Sequence, residues 1–294
     1  MIKNSKVAII IVNWKKYNMT ANCMESVIEC NYPNYEIILV DNESDASKVS
    51  IFKSRKNVKT ILNSKNEGFS KANNQAIEYA LKNNFDYILL LNNDTVIKSN
   101  LIDVLVKTAQ AKKVYAVQPL IFNHNEKKIW NGGGKINYFF GIFSSSKKVN
   151  NSFKLIEWLT GCCCLFDSNL FRKIGKFDEG FFAYYEDVDL SLRIKKNGYK
   201  IGFTSQTELI HLESGSSKLE TSNEGSLNPF VHYLNIKNHI LILRKHAKMF
   251  NPIGSVFFQI LKIFSYTTYF ILRFRFLKLK MVYKGLRDSL KTQI

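Results

Sequence analysis

Tyr87-Ile88-Leu89-Leu90-Leu91-Asn92-Asn93-Asp94 is the stretch on which the fold turns. Its five apolar residues show no polar alternation, so a strand formed there is buried on both faces, as in a parallel sheet covered by helices. The run then stops on two amides and a carboxylate. In open parallel sheets, ligands bind beyond the carboxyl ends of the strands, which makes such a stop a candidate site. The pattern recurs upstream: residues 7–12 stop at Asn13-Trp14, residues 36–40 at Asp41-Asn42 and residues 58–62 at the polar stretch 63–68. Helical spacing fills the intervals at 19–30, with Thr20 as a cap, and at 71–83. Residues 41–47 read as a loop, 101–111 as a further helix and 115–118 as the start of another strand. Strands alternating with helices in this way predict a doubly wound α/β sheet.

Beyond residue 120 the alternation loosens. Residues 131–134 and 144–148 read as loops, and 157–166 as a strand. Residues 187–197 form a helix stopped by Gly198, a residue suited to the left-handed position after a helix. A short strand is expected at 201–204 and a polar, mobile stretch at 211–228. From residue 228 the character changes. Residues 230–243 are helical, and 253–272 are strongly apolar apart from a stripe of Ser255, Gln259, Lys262 and Ser265. A spanning helix needs about 20 largely apolar residues; lysine near the middle and the stripe favour a helix lying in a membrane interface.

Charge is distributed unevenly. The formal net charge is +18, yet from Arg244 onward there are eleven Lys/Arg against one acid, Asp288. A basic tail on a nearly balanced body argues against nucleic acid as partner, since a nucleic-acid groove interleaves its charge with aromatics. Cys23, Cys30 and the run Cys162-Cys163-Cys164 offer neither a disulfide framework nor metal spacing. They read as small buried apolar residues in a reducing compartment. The apolar run at 7–12 is too short for a signal-peptide core, so the body is expected in the cytoplasm. The sequence contains no G-x-S-x-G elbow, no G-x-G-x-x-G and no Walker A loop.

Three constellations carry possible chemistry. Asn92-Asn93-Asp94 places a carboxylate at the crevice edge, where it can meet a divalent cation or simply cap the next helix. Phe182-Ala183-Tyr184-Tyr185-Glu186-Asp187-Val188-Asp189-Leu190 gathers three carboxylates at a helix start, suiting a raised pKa and a general base, or ordinary acid enrichment there. Tyr184 and Tyr185, just before, could stack on a sugar ring. His211 precedes a Gly/Ser-rich segment and fits either a metal ligand on a closing loop or a surface histidine.

Read in order, the pieces resemble the family 2 inverting nucleotide-sugar glycosyltransferases of GT-A fold, in particular their rhamnosyltransferase-like branch of bacterial surface-polysaccharide synthesis. The pieces are Ile11-Val12-Asn13-Trp14, Val40-Asp41-Asn42-Glu43-Ser44-Asp45, Asn66-Glu67-Gly68-Phe69-Ser70 with Asn73-Asn74, and Leu91-Asn92-Asn93-Asp94-Thr95. Trp158-Leu159-Thr160-Gly161, Phe177-Asp178-Glu179, Tyr185-Glu186-Asp187-Val188-Asp189-Leu190, and His211 with Gly215 and Ser216 complete them. The resemblance implies a GT-A (Rossmann-like), mostly parallel sheet flanked by helices over residues 1–227, with a nucleotide half to about 118, an acceptor half from 119 and an amphipathic helical extension at 228–294. It implies that Asp41 accepts hydrogen bonds from a pyrimidine base, with Val12 and Asn13 lining the pocket. Asn42, Asn66, Gly68, Asn74 and Asn93 serve the donor side. Asp94 and His211 hold Mg²⁺ or Mn²⁺ on the diphosphate, although Asn92 replaces the first Asp of the D-x-D pair many relatives carry. Trp158, Gly161, Tyr185 and Glu186 face sugar or acceptor, and Asp187 is the base. The implied partners are a UDP- or dTDP-sugar, a glycan or polyprenyl-linked glycan acceptor, and the anionic inner face of the plasma membrane through the tail, which is also a candidate homodimer contact. A non-catalytic partner of the same fold and a sugar nucleotidyltransferase are the competing readings.

Overall fold

The structure, a computed structural model, describes residues 5–53, 55–124, 128–212 and 225–293. The first half runs β1 (Val7–Asn13), α1 (Tyr17–Ile28), β2 (Tyr35–Asn42), α2 (Ala46–Lys53), β3 (Val58–Asn63), α3 (Gly68–Lys82), β4 (Tyr87–Leu91), β5 (Thr95–Ile97), α4 (Leu101–Lys112) and β6 (Ala116–Asn123). Short strands follow: β7 (Ile129–Asn131), β8 (Gly134–Asn137), β9 (Ile142–Ser145), β10 (Phe153–Leu155) and β11 (Cys163–Asp167). Then come α5 (Ser168–Ile174), α6 (Glu186–Lys196), β12 (Ile201–His211), α7 (Pro229–Lys245), α8 (Pro252–Leu272) and α9 (Phe276–Lys291).

The large sheet has the order β10-β12-β6-β11-β4-β1-β2-β3, with β5 on β12 and β7 on β6. Strands β3, β2, β1 and β4 are parallel, as the apolar runs predict. The uniform burial of β1 explains its composition. Val7, Ile9 and Ile11 enter one hydrophobic cluster with Met24 and Val27 of α1, whereas Ala8 and Ile10 enter another with Ala72, Ala76 and Ile77 of α3. Both faces of the strand are therefore dry, and no polar alternation can survive on it.

The other half of the sheet is mixed. Strand β11 lies antiparallel between β4 and β6, and β12 runs parallel to β6 but antiparallel to β5 and β10. Four expectations are corrected here. Strand β12 extends well past residue 204, because a register shift between Thr204 and Glu208 lets its ladder with β6 resume and reach His211. Of the stretch expected as a strand at 157–166, only the part from Cys163 pairs; the amides of Leu159, Thr160 and Gly161 are taken by side chains instead. Thr20 lies inside α1 rather than at its cap, its hydroxyl donating to Asn13 Oδ1 at 2.8 Å. Helix α2 begins within the expected loop at 41–47. Gly198 does take the left-handed position after α6, at φ +77°. All five cysteines are free, four of them buried.

The chain divides into two compact units, one of 1–135, 145–182 and 186–213, the other of 136–144, 183–185 and 214–294. Within the second, Ile236 of α7, Phe270 of α8 and Val282 of α9 form a core of their own. Of the polar stripe of α8, Ser255, Gln259 and Lys262 turn inward and Ser265 stays exposed. Ser255 and Gln259 are buried, and Lys262 Nζ lies 2.9 Å from His239 Nδ1. The face left exposed is the apolar one, with Ile253 79%, Ile260 61% and Phe264 68% accessible. By length and composition, α8 is long and apolar enough to cross a membrane.

Candidate active site

Strand register assembles the donor side. Asn13 and Asp41 are direct partners in the β1–β2 ladder, and Asn13 Nδ2 donates to Asp41 Oδ1 at 2.6 Å. Asp41 is fully buried, and its second oxygen accepts from Tyr17 at 3.1 Å. A carboxylate with one donor on each oxygen still has lone pairs to offer. Asn93 reaches the same cluster through Thr20 Oγ1 at 3.0 Å. The sequence offered Thr20 only as a helix cap and did not single out Tyr17, since both occupy ordinary positions of an amphipathic helix. Val12, half-buried, is the last strand residue before Asn13.

Asn42 does for the next loop what Asn13 does for this one. It pairs with Asn63 in the β2–β3 ladder, accepts from Asn63 Nδ2 (3.1 Å) and Glu67 N (2.9 Å), and donates to Asn66 Oδ1 (2.8 Å) and Gly68 O (3.2 Å). Gly68 sits at φ +84°, and a Cβ there would lie 2.6 Å from the Phe182 backbone oxygen and ring. Only glycine fits. The α3 N-terminus is thereby clamped onto the segment leading to α6. Phe69 N donates to Phe182 O (2.7 Å), Ser70 Oγ donates to Phe181 O (2.5 Å), and Asn74 exchanges hydrogen bonds with the Phe177 backbone (2.9 and 3.0 Å). The polar contacts of Asn74 are thus to Phe177 and Glu179.

Asp94 and His211 lie far apart in sequence and together in space. The β5–β12 ladder pairs Thr95 with His211, and His211 Nε2 stands 3.2 Å from Asp94 Oδ1. Among the described residues neither Asp94 Oδ1 nor His211 Nδ1, both buried, has a hydrogen-bond partner. The close contact of Oδ1 is therefore one of proximity without hydrogen-bond alignment. Trp130, another residue the sequence did not flag, sets its ring edge-on to His211 at 4.7 Å. Two donors on one ion at about 2.1 Å each are separated by about 3 Å, which is the spacing of this pair, so the two could share a divalent cation. Among the described residues no group of three His, Cys, Asp or Glu side chains is placed to hold an ion unaided.

Asp187 is held by backbone. Its Oδ2 accepts from Gly161 N and its Oδ1 from Val188 N, each at 2.8 Å. Burial pushes its pKa up to about 6, against the lowering effect of these amides. Glu186, also buried and with Oε2 unpartnered, is pushed well above the carboxylate range, first by burial and then by the charge of Asp187. Both carboxyls therefore hold a proton to higher pH than an exposed carboxylate does, burial being the main cause for each. Asp189 is committed elsewhere: it is fully buried and bonded to Arg193 Nε at 2.8 Å, while Arg193 also binds the carbonyls of Ile174 and Lys176.

Cys162 connects the two carboxylates. Its thiol is raised far above normal by burial first, and then by the negative charges of both Asp94 and Asp187. Cys162 O accepts from Asn92 N at 2.8 Å, which fixes this segment beside the end of β4. Gly161, Glu186 and Asp187 are therefore neighbours, and Cys162, next in sequence to Gly161, is bonded to the backbone two residues before Asp94. Trp158 packs over Gly134, where a Cβ would fall 2.3 Å from the Trp158 carbonyl, and its Nε1 donates to Lys135 O at 3.2 Å. Tyr185 belongs to the second unit, where its ring stacks on His239 at 5.1 Å. Gly215 and Ser216 lie outside the described residues.

The sheet thus brings Asp94 and His211 together in the same unit as the buried, backbone-held carboxylate of Asp187. Residues 4–225 match the model of the glycosyltransferase-like family 2, and the chain belongs to that family. It is a glycosyltransferase of glycan biosynthesis. It is 24% identical over 283 residues to the low-salt glycan biosynthesis hexosyltransferase Agl10 of Haloferax volcanii, spanning 95% of this chain and 85% of that one. It is 22% identical over 270 residues to the dTDP-rhamnosyl transferase RfbF of Shigella flexneri, spanning 88% and 87%. Among solved structures it resembles GalNAc-T7 with UDP, GalNAc and Mn²⁺ at a TM-score of 0.64 and 17% identity, over 83% of this chain and 48% of that chain, which shows the shared GT-A fold.

Proposed function

We propose that the chain inverts the anomeric carbon as it moves a sugar from a UDP- or dTDP-sugar to a hydroxyl of a glycan, with a polyprenyl-linked saccharide at the inner face of the plasma membrane as acceptor. The observation that carries this reading is the approach of His211 to Asp94 at 3.2 Å, in the same unit as the backbone-held Asp187. Asp41 would receive the pyrimidine, with Val12, Asn13 and Asn93 beside it. Asn42, Asn66, Gly68 and Asn74 would fix the shape of the donor loop. Asp94 and His211 would hold Mg²⁺ or Mn²⁺, which supplies positive charge for the departing diphosphate. Ionised Asp187 takes the proton of the acceptor hydroxyl; that oxygen bonds to the anomeric carbon while the bond to the diphosphate breaks and the nucleoside diphosphate leaves. Glu186, keeping its proton, adds no second negative charge beside the base. Trp158 and Gly161 would border the sugar or acceptor.

The test is product stereochemistry. Purified protein is given dTDP-rhamnose, UDP-glucose or UDP-N-acetylglucosamine with a synthetic N-acetylglucosaminyl-diphospholipid in vesicles. Release of nucleoside diphosphate with an inverted glycosidic bond is expected from one donor. A product of retained configuration would contradict the base assigned to Asp187.

The tail supports the membrane part of the reading. The exposed apolar face of α8 adjoins Phe274 and Phe276, 77% and 58% accessible, and the exposed cations Arg273, Lys280 and Lys284. Apolar area plus basic charge is what anionic interfaces bind. Removing the tail outright would strip Phe270 and Val282 from Ile236, so surface substitution is the cleaner probe. Ile260→Ser with Phe264→Ser is expected to lower co-sedimentation with phosphatidylglycerol vesicles by about tenfold or more, at about 1.5–3 kcal/mol per fully buried large apolar side chain. Unchanged sedimentation of the folded double variant would refute the contact.

A further inference from the structure

Strand β11 pairs with β6 at two positions, Leu165 with Val117 and Phe166 with Ala116. Upstream of Cys163 side chains take over the backbone amides. Ser191 Oγ accepts from Leu159 N at 3.0 Å, Gln118 Oε1 from Thr160 N at 3.1 Å and Asp187 Oδ2 from Gly161 N at 2.8 Å. Three successive N–H groups are thus held by three side chains, two from α6 and one from β6. All of these residues belong to the first unit. Ser191, itself buried, also donates to the Asp187 carbonyl at 2.7 Å. Gln118 is fully buried, and its Nε2 donates to Asn131 Oδ1 at 3.0 Å. That same oxygen accepts from Gly133 N at 2.8 Å.

A buried amide side chain is costly unless its polar ends are used. Gln118 spends one end on β7 and the other on the Thr160 backbone, and so sets the gap between them. Neighbouring peptide planes are joined by only two soft dihedrals. Fixing the amides of Leu159 and Thr160 therefore leaves little freedom to the next one. We infer that Gln118 is a positioning residue: it holds the backbone of residues 159–161 where Gly161 N meets the Asp187 carboxylate. This deepens, and rests on, the reading of Asp187 as the base. It gives a side chain of the sheet interior, unremarkable in sequence, a part in the reaction.

Hydrogen exchange on the full chain reads this grip without substrate. In Gln118→Leu the amides of Thr160 and Gly161 should exchange at least about tenfold faster, while those of Leu89 and Leu90 in the central strand keep wild-type protection. In turnover the variant should lose about tenfold or more in kcat, with the KM for donor unchanged. Burial raises the pKa of Asp187 and the Gly161 amide lowers it, so slackening that bond should also move the acid limb of the pH–rate profile to higher pH. Glu186, Cys162 and Cys164, the titratable groups beside Asp187, are unaltered by the substitution. Gln118→Glu is the conservative control. At about pH 5 a buried carboxyl keeps its proton and presents the same donor and acceptor, so both amides should regain the protection they have in wild type at that pH. Wild-type protection of Gly161 in Gln118→Leu would overturn the inference. So would an equal rise at Gly161 and Leu90, which is general loosening, or a folded Gln118→Glu that restores neither amide. Asp187→Asn is measured separately: if it turns over normally while Gln118→Leu still unprotects Gly161, the base reading falls and the positioning of the segment stands.

Discussion

Asp187→Asn should lower turnover by about 10²–10⁴-fold while leaving the affinity for UDP or dTDP within about twofold. Asparagine keeps the shape of the side chain and one oxygen for the Gly161 amide, but it cannot take a proton. The wild-type pH profile should show the same group. A base acts only when ionised, and burial pushes Asp187 from 3.8 up to about 6. The rate at limiting substrate should therefore fall about tenfold per pH unit below that value and level off above it. The stability effect has the opposite sense to that of a salt-bridged aspartate. With its folded pKa raised, the native state holds the proton more tightly than the unfolded chain. Stability is therefore lost as pH rises from the ordinary carboxylate range to about 6, and the loss is constant above it. Asparagine carries no such penalty but loses the acceptor of Val188 N, so the two effects oppose and at pH 7 the variant should unfold close to wild type. An inactive protein of undiminished stability is the signature of a residue kept for chemistry. Full turnover in the variant would instead leave a fold that docks nucleotide without using this carboxylate, the non-catalytic alternative.

How much of this was legible in the sequence follows from what each signal depends on. Strands β1 to β4 announce themselves because burial on both faces forces continuous apolar runs, a local property. Strand β5 does not: Thr95–Ile97 is three residues long and exists only because β12 runs beside it. The extension of β12 to His211 is equally a tertiary fact, resting on a ladder with β6 that resumes after Thr204. Asp94 could be picked out by its place at a strand end. Its proximity to His211 could not be read from spacing, since the β5–β12 pairing creates it. Asn42 illustrates another limit. Its four hydrogen bonds go to Asn63, Asn66, Glu67 and Gly68, none of which a one-dimensional reading can assign to it. The stripe on α8 was visible as a period but not as a direction. Its Gln259 and Lys262 face His239 rather than water because they find hydrogen-bonding partners there, while Ser265 stays exposed.

Replacing Asp94 or His211 is expected to have the second large effect, and on binding rather than on the proton transfer. The pair supplies one carboxylate and one imidazole, and a hard cation at such a site completes its shell with the diphosphate of the donor. Affinity for nucleoside diphosphate and affinity for metal are then linked, each raising the other by the same factor. Asp94→Ala removes the hard oxygen ligand of the pair and leaves His211 without its neighbour, so it should cost more than His211→Ala. Losses of about 10–100-fold in metal-assisted nucleotide affinity are expected for the latter. Asp187→Asn should leave this property intact, which separates the two halves of the site. The decisive measurement is calorimetric titration of UDP, dTDP and GDP into wild-type protein and Asp94→Ala, each with and without Mn²⁺. The account predicts that UDP or dTDP binds wild type at least about tenfold more tightly with Mn²⁺, and that Asp94→Ala abolishes the gain. Nucleotide binding that ignores Mn²⁺, or a gain that survives Asp94→Ala, would contradict it.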